Sequence, residues 1–336
     1  MLPLLFAVLL GAATAPQSTV RPVRLSAPHF GETVQIEARD LPEEAAREAV
    51  QAAFAEVAAI ERLTDPEAGA GADGGLAALD AAAGNGPRRL DPRLLPALAR
   101  ARDFCFWSER AFGPLGRDLH RLWGLRGAAV AAAPPPDLLD KAAASAACDR
   151  LQVDPAKGTA ALATGAAVDL WGFAEGLAVD RAVEVLKQHG VRNGYAQVGS
   201  RVYRGFGKGP DGRGWSVQLP EFPGMTIPLG RVFLRDQSLA IATARDRPLK
   251  VGNATVSPYI HQRTGQPAQG VVATLAAAEL ALDAQGLAVT LTLTGATDGQ
   301  LRLGSLSPRP AVLWLLGTGA GEPLQMEYHW GEVPKR

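Results

Sequence analysis

Residues Val168 to Asp180 read V-D-L-W-G-F-A-E-G-L-A-V-D, and Arg181 continues them into R-A-V-E-V-L-K-Q-H-G. An apolar strand end, a glycine-bearing turn and the first turn of a helix follow one another. The first N–H groups of a helix have no partner inside it, so this order of elements aims backbone donors at an anion. A second glycine-rich run, Gly205-Phe206-Gly207-Lys208-Gly209, lies between two hairpin strands rather than between a strand and a helix. The mechanics of a dinucleotide fingerprint are absent there, and the run reads as a turn.

Several elements must hold the first segment in place. Asp40-Leu41-Pro42-Glu43-Glu44 carries the marks of a helix start, with Asp40 as cap, an early proline and acids in the first turn. Val50, Phe54, Val57 and Ile60 then recur at helical spacing. Pro66 to Pro87 is rich in Gly and Ala and interrupts that pattern, and Asp91 opens a second helix running to about Phe106. Gly127 to Pro136 reads as an exposed connection. The helix that starts near Gly172 ends at Gly190, a glycine placed to close it. Strands are expected over Gly194–Tyr203 and Trp215–Leu219, joined by a turn around Pro210-Asp211-Gly212, and over Val271–Ala277 and Ala311–Leu316. Hairpins mixed with helices predict an α+β fold, a single domain with mixed, largely antiparallel sheets and flanking helices.

The chain has 336 residues, with 34 Lys and Arg balancing 34 Asp and Glu. Zero net charge without a basic stripe argues against a nucleic-acid partner. Met1 to Ala15, M-L-P-L-L-F-A-V-L-L-G-A-A-T-A, is too short an apolar run to span a bilayer and fits a secretory signal. Its n-region has no Lys or Arg. Cleavage after Ala13 is favoured over Ala15, because Pro16 would follow the latter cut. The expectation is a periplasmic or secreted protein with no transmembrane anchor once the signal is removed. Export makes a disulfide possible, and Cys105 and Cys148 are the two cysteines. Cys105 sits in an apolar helical run and reads as a small core residue rather than a bridge.

The segment from Asp169 resembles the flavin-diphosphate motif D-L-G-G-x-A-K-G-x-A-x-D of the FAD:protein FMN transferase (ApbE) family. Asp169, Leu170, Gly172, Ala174, Gly176, Ala178 and Asp180 match; Trp171 stands for a glycine and Glu175 for the lysine. Further stretches resemble the family in its own order. His29-Phe30-Gly31-Glu32-Thr33-Val34 resembles the opening strand, and Ile60 to Thr64 the I-E-x-x-x-S stretch. Leu76 to Asp80 is similar to S-x-L-x-x-L-N with Asp in the last place. Ser108 to Leu115 is similar to S-x-G-A-F-D-P-T, with Trp123-Gly124 following. Tyr195 to Val202 resembles V-N-x-G-G-D-I, Ile241 to Arg245 resembles I-A-T-S-G, and Ser257 to Pro267 resembles S-H-I-I-D-P-R-T-G-R-P. The resemblance implies one family domain over residues 20–336 after a signal over 1–15.

It also implies a reaction: cleavage of the FAD diphosphate, transfer of FMN to a Ser or Thr hydroxyl of a flavin-acceptor or redox partner protein, and release of AMP, with Mg²⁺ neutralising the diphosphate. On this chain the flavin slots are Gly31, Asp169, Gly172, Ala174, Glu175, Gly176, Gly199, Arg201, Thr243, Arg245 and Thr264. Leu282-Asp283-Ala284-Gln285-Gly286 resembles A-D-A-L-A-T; Asp283 matches the aspartate ligand or simply caps a helix, while the threonine falls on Leu287, with Thr290 the nearest hydroxyl. The family's His falls on Pro258 and its Asp on His261, the remaining candidate base, and Gly113 replaces another Asp. Scaffold-like positions are retained and working polar groups are changed. That pattern predicts a filled flavin pocket, with Mg²⁺ binding and transfer lost or strongly weakened and a binding or assembly role in their place; the alternatives are an active transferase using shifted groups, Asp283 with Thr290, His261, and Arg201 or Arg245 on phosphate, or a flavin-binding protein without transfer. It also predicts that Glu175, too costly to bury alone, pairs with Arg201 or Arg245.

Overall fold

The structure, a computed structural model, describes residues 21–68, 74–127, 130–222, 224–245, 247–319 and 321–335. The apolar run Met1–Ala15 lies outside them. Eight strands form one sheet: β1 (Val23–His29), β2 (Glu32–Arg39), β3 (Asn193–Val198), β4 (Val202–Phe206), β5 (Gln237–Thr243), β6 (Val271–Ala278), β7 (Ala311–Leu316) and β8 (Leu324–Tyr328). Their order in space follows their order in the chain, and every neighbouring pair is antiparallel.

Alternation along the strands gives the sheet two apolar faces. In β5, Ala240 and Ala242 join the core on the helical side, while Leu239 and Ile241 join the core on the other. The helices are α1 (Glu43–Thr64), α2 (Leu76–Ala81), α3 (Leu94–Trp107), α4 (Arg117–Leu122), α5 (Pro136–Ser145), α6 (Ala174–Gln188) and α7 (Ala281–Leu303), of which α1, α6 and α7 form the layer on the sheet. Within this layer α6 packs against both α1 and α7, and α7 lies on β5 and β6. Gly295 interrupts α7 with a left-handed φ of 74°. A hairpin of Trp215–Gln218 with Arg231–Leu234 and the turn at Trp330 cover the opposite face. The α+β class with antiparallel sheets and flanking helices is therefore observed. No helix among the described residues is long and apolar enough to cross a membrane.

Several local expectations need correction. Gly194–Tyr203 is two strands, because Gly199 takes a φ of 51° and turns the chain back so that Val198 faces Val202. Trp215–Gln218 leaves the main sheet and pairs elsewhere, its ring stacking 5.4 Å from that of Tyr195. Asp40 does not cap α1: it adopts a φ of 66°, and the helix starts after Pro42 with no side-chain cap. Cys105, at the end of α3, is bonded to Cys148, so the core-residue reading is overturned. Its burial was foreseeable, but only the tertiary fold brings a partner 43 residues away beside it.

Candidate functional site

A cavity of about 610 Å³ opens where five elements end together. Ala58, Glu61 and Arg62 enter from the last turns of α1, and Ala174 and Glu175 from the first turn of α6. Arg201 comes from the β3–β4 turn, Ala240 to Ala242 from the end of β5, and Gln285, Ala288 and Val289 from one face of α7. Trp171 and Tyr259 close one side with rings 5.5 Å apart, and Phe30, Arg126 and Arg247 complete the wall. That volume falls in the range of small-molecule sites, so the expectation of a filled pocket is overturned. Trp171 narrows the cavity without closing it.

Glu175 and Arg201 meet inside it. The Arg201 guanidinium donates to both carboxylate oxygens of Glu175, through Nη2 to Oε1 and through Nε to Oε2 at 3.3 Å, and its Nη1 donates to Glu32 at 2.8 Å. Both side chains are only 12% exposed. The Gln285 amide donates to Glu175 at 3.0 Å and accepts the Gly176 N–H at 2.8 Å. Burial works against charge on Glu32, yet hydrogen bonds and attraction from Arg201 and Arg247 hold its carboxyl below the usual range. Burial likewise works against the Arg201 cation, and Glu175 and Glu32 hold it protonated. Arg245 takes no part in this cluster: it is exposed, and its backbone N–H donates to the Thr243 hydroxyl. Arg247, two residues on, reaches Glu32 at 3.4 Å and the Phe30 carbonyl at 2.7 Å.

The motif's other polar residues fix its frame. Asp169 is buried, with His120 Nδ1 at 3.0 Å and Arg126 on both oxygens at 2.7 and 3.1 Å. Burial alone would raise this carboxyl, but His120 and Arg126 hold it well below the carboxylate range. Gly172 adopts a φ of 82°, and a Cβ there would lie 2.6 Å from the Phe112 ring. Gly176 lets α6 approach α7: a Cβ would lie 2.6 Å from the Ala281 carbonyl oxygen and the Leu282 Cα. Asp180 accepts the N–H groups of Ala281 and Leu282 and pairs with Arg204, so it caps α7 from a neighbouring helix. Gly31 and Gly199 flank the cavity beside Arg247 and Glu32.

The remaining expected site residues do not line the cavity. His261 is half-buried in its own turn, its carbonyl accepting the Gly265 N–H, and burial with the nearby Arg263 lowers its pKa. Thr264 is exposed and bonds the Gln266 N–H, and Thr243 donates to the Val272 carbonyl. Asp283 is held by Arg100 at 2.6 Å. Thr290 is fully buried with its hydroxyl unpartnered.

Gln285, Ala288 and Val289 are the α7 residues that line the cavity, and Asp283 is not among them. The resemblance to A-D-A-L-A-T therefore shifts by two residues. Leu287-Ala288 fall on its L-A, Gln285 on its aspartate and Val289 on its threonine. A hard cation needs oxygen ligands. Valine offers none, the Gln285 carbonyl oxygen already accepts a backbone N–H, and Glu175 is engaged by Arg201. Among the described residues no three His, Cys, Asp or Glu side chains gather as a metal site. These residues do not fit Mg²⁺. The three matching letters Ala284, Leu287 and Ala288 were the sequence signal for this register; Arg126 and Arg247, on irregular segments, had none, and Tyr259 lay within the matched stretch Ser257 to Pro267.

Comparison with known proteins places this geometry. The sequence profile of the ApbE family matches residues 30–313. An FAD:protein FMN transferase of Treponema pallidum (strain Nichols) is 30% identical over 240 residues, 66% of each chain. Among solved structures, the ApbE protein of Thermotoga maritima superposes with a TM-score of 0.80 at 19% identity, covering 94% of this chain and all of that one. The flavinyl transferase ApbE of Pseudomonas stutzeri, in its apo form, gives 0.77 at 18% identity, covering 94% and 97%. The flavin transferase ApbE from Vibrio cholerae gives 0.75 at 20% identity, covering 94% and 98%.

Proposed function

The chain belongs to the ApbE family of flavin transferases, and from that premise we propose an exported member in which transfer of FMN from FAD to a partner's Ser or Thr hydroxyl is lost or strongly weakened, while the cavity serves a binding or assembly role. The observation that carries this reading is the buried Glu175–Arg201–Gln285 cluster. It puts a carboxylate and a neutral amide at the slots of the family's lysine and aspartate. Breaking a diphosphate needs positive charge placed where negative charge develops. Here Arg201 is spent on two carboxylates. The acceptor hydroxyl also needs a base within hydrogen-bond reach. His261 does not line the cavity, and His120 is buried against Asp169.

Export is supported by the apolar N-terminal run, and the Cys105–Cys148 bond suits an oxidising compartment. The open cavity with its aromatic wall favours retained flavin binding over a purely structural role. Incubating the mature protein with FAD, Mg²⁺ and a flavin-acceptor protein is expected to yield no covalently bound FMN by mass spectrometry. Stoichiometric FMN on the acceptor would refute the loss of transfer. Calorimetric titration with Mg²⁺ is expected to show no site in the micromolar range.

A further inference from the structure

We propose that the cavity selects an uncharged, planar heteroaromatic ligand, a flavin without phosphate, over its phosphorylated forms. This rests on the reading of the cavity as a retained binding site. The wall suits a flat apolar ring. Trp171 and Tyr259 stand on one side, and small residues of β5 and α7, Ala240, Ala242 and Ala288, lie among the lining. Small side chains leave room for a plane, and aromatic faces stack on it.

The guanidiniums of Arg126, Arg201 and Arg247 are already engaged by carboxylates in or behind the wall. Arg201 binds Glu32 and Glu175, Arg126 binds both oxygens of Asp169, and Arg247 reaches Glu32 and the Phe30 carbonyl. Glu61 accepts the Phe30 N–H at 2.5 Å and faces His29 at 2.7 Å. Arg62 and Asp65, both exposed, also line the cavity. The lining itself holds the carboxylates of Glu61, Asp65 and Glu175 and the guanidiniums of Arg62, Arg126, Arg201 and Arg247; Glu32 and Asp169, behind the lining, hold Arg201, Arg247 and Arg126 and leave the inner wall without a surplus of positive charge.

A phosphate entering this wall meets no buried guanidinium free to receive it. To bind, it would have to take Arg201 from Glu175 and leave that carboxylate buried and unpaired, next to a second anion. A phosphate-free ring disturbs none of these pairs. The same cluster that removes the transfer chemistry therefore acts as a filter on the ligand.

Titration of the mature, disulfide-intact protein with riboflavin, FMN and FAD, followed by flavin fluorescence, tests this. Riboflavin is expected to bind at least tenfold more tightly than FMN or FAD, a difference of about 1.4 kcal/mol. Glu175→Gln keeps the shape and removes the charge; it is expected to narrow the ratio to within about threefold by strengthening FMN. With no substitution, raising the salt from low to high is expected to narrow the ratio in the same direction, because screening weakens repulsion. FMN or FAD binding as tightly as riboflavin would overturn the selectivity and leave the binding reading standing. No binding of any of the three would overturn both. A ratio unmoved by both Glu175→Gln and salt would overturn the charge filter.

Discussion

At the residue scale, Arg201 does the most to hold the altered site together. It pairs with two carboxylates from different elements, Glu32 on β2 and Glu175 on α6. Removing one partner of a buried pair leaves the other charge desolvated and alone, so Arg201→Ala is expected to cost about 3 kcal/mol in chemical denaturation. Glu175→Gln, which leaves no orphan charge, should cost much less. Asp80 offers a test by pH. Burial raises its folded pKa from the ordinary 3.8 to about 6, even though the Val168 N–H and the Arg117 guanidinium favour the anion. Between those values the folded protein holds a proton that the unfolded chain releases. Stability contributed by this group therefore falls as pH rises through that window, by about 3 kcal/mol in full. Measured relative to Asp80→Asn, wild-type stability should decline from pH 4 to pH 7. Asp169 has the opposite sign: its lowered pKa contributes stability above the ordinary carboxylate range, which is lost as pH falls below it.

At the element scale, the start of α6 is fixed by its contact with the start of α7. Gly176 permits the approach and Asp180 caps the neighbouring helix. Gly176→Ala would drive a methyl into backbone atoms on the facing helix, where no side chain can yield. Overpacking of that kind costs about 1–3 kcal/mol. The gain in helix propensity returns about 1 kcal/mol. A net loss of about 1 kcal/mol is expected by thermal or chemical denaturation. A neutral result would mean that α6 and α7 can separate freely. The flavin motif's glycine and final aspartate are thus read here as residues that place the cavity wall, whatever the cavity binds.

At the scale of the whole molecule, the Cys105–Cys148 bond ties the end of α3 to the segment that leads into the small sheet of Leu151–Asp154, Thr159–Leu162 and Arg88–Arg89. Closing a loop of 43 residues restricts the unfolded chain by about 4 kcal/mol in the chain-entropy account. Reduction is expected to lower stability by about 2–4 kcal/mol. The cavity, formed by other elements, should keep its flavin affinity while the protein remains folded. Loss of binding on reduction at temperatures where the fold persists would show that the bridge shapes the site.

The sequence by itself determined the elements and the family. Helical periodicity marked α1, the glycine at 190 marked the end of α6, and strand patterns marked β6 and β7 to within a residue. Local sterics and burial periodicity are written in neighbouring residues, so those features were legible. It also contained the reversal at Glu175, because a motif in register exposes a changed charge. What only the tertiary structure decided was which side chains meet. The meander carries β2, the β3–β4 turn, β5 and α7 to one rim, so Glu32, Arg201, Arg247 and Gln285 converge across up to 253 positions of chain. Arg245 and Arg247 differ by two residues, yet Arg247 alone lines the cavity. Register on α7 was decided in the same way, since a shift of two residues turns a helix by more than half a circle. That shift puts Gln285 and Val289, rather than Asp283, at the cavity.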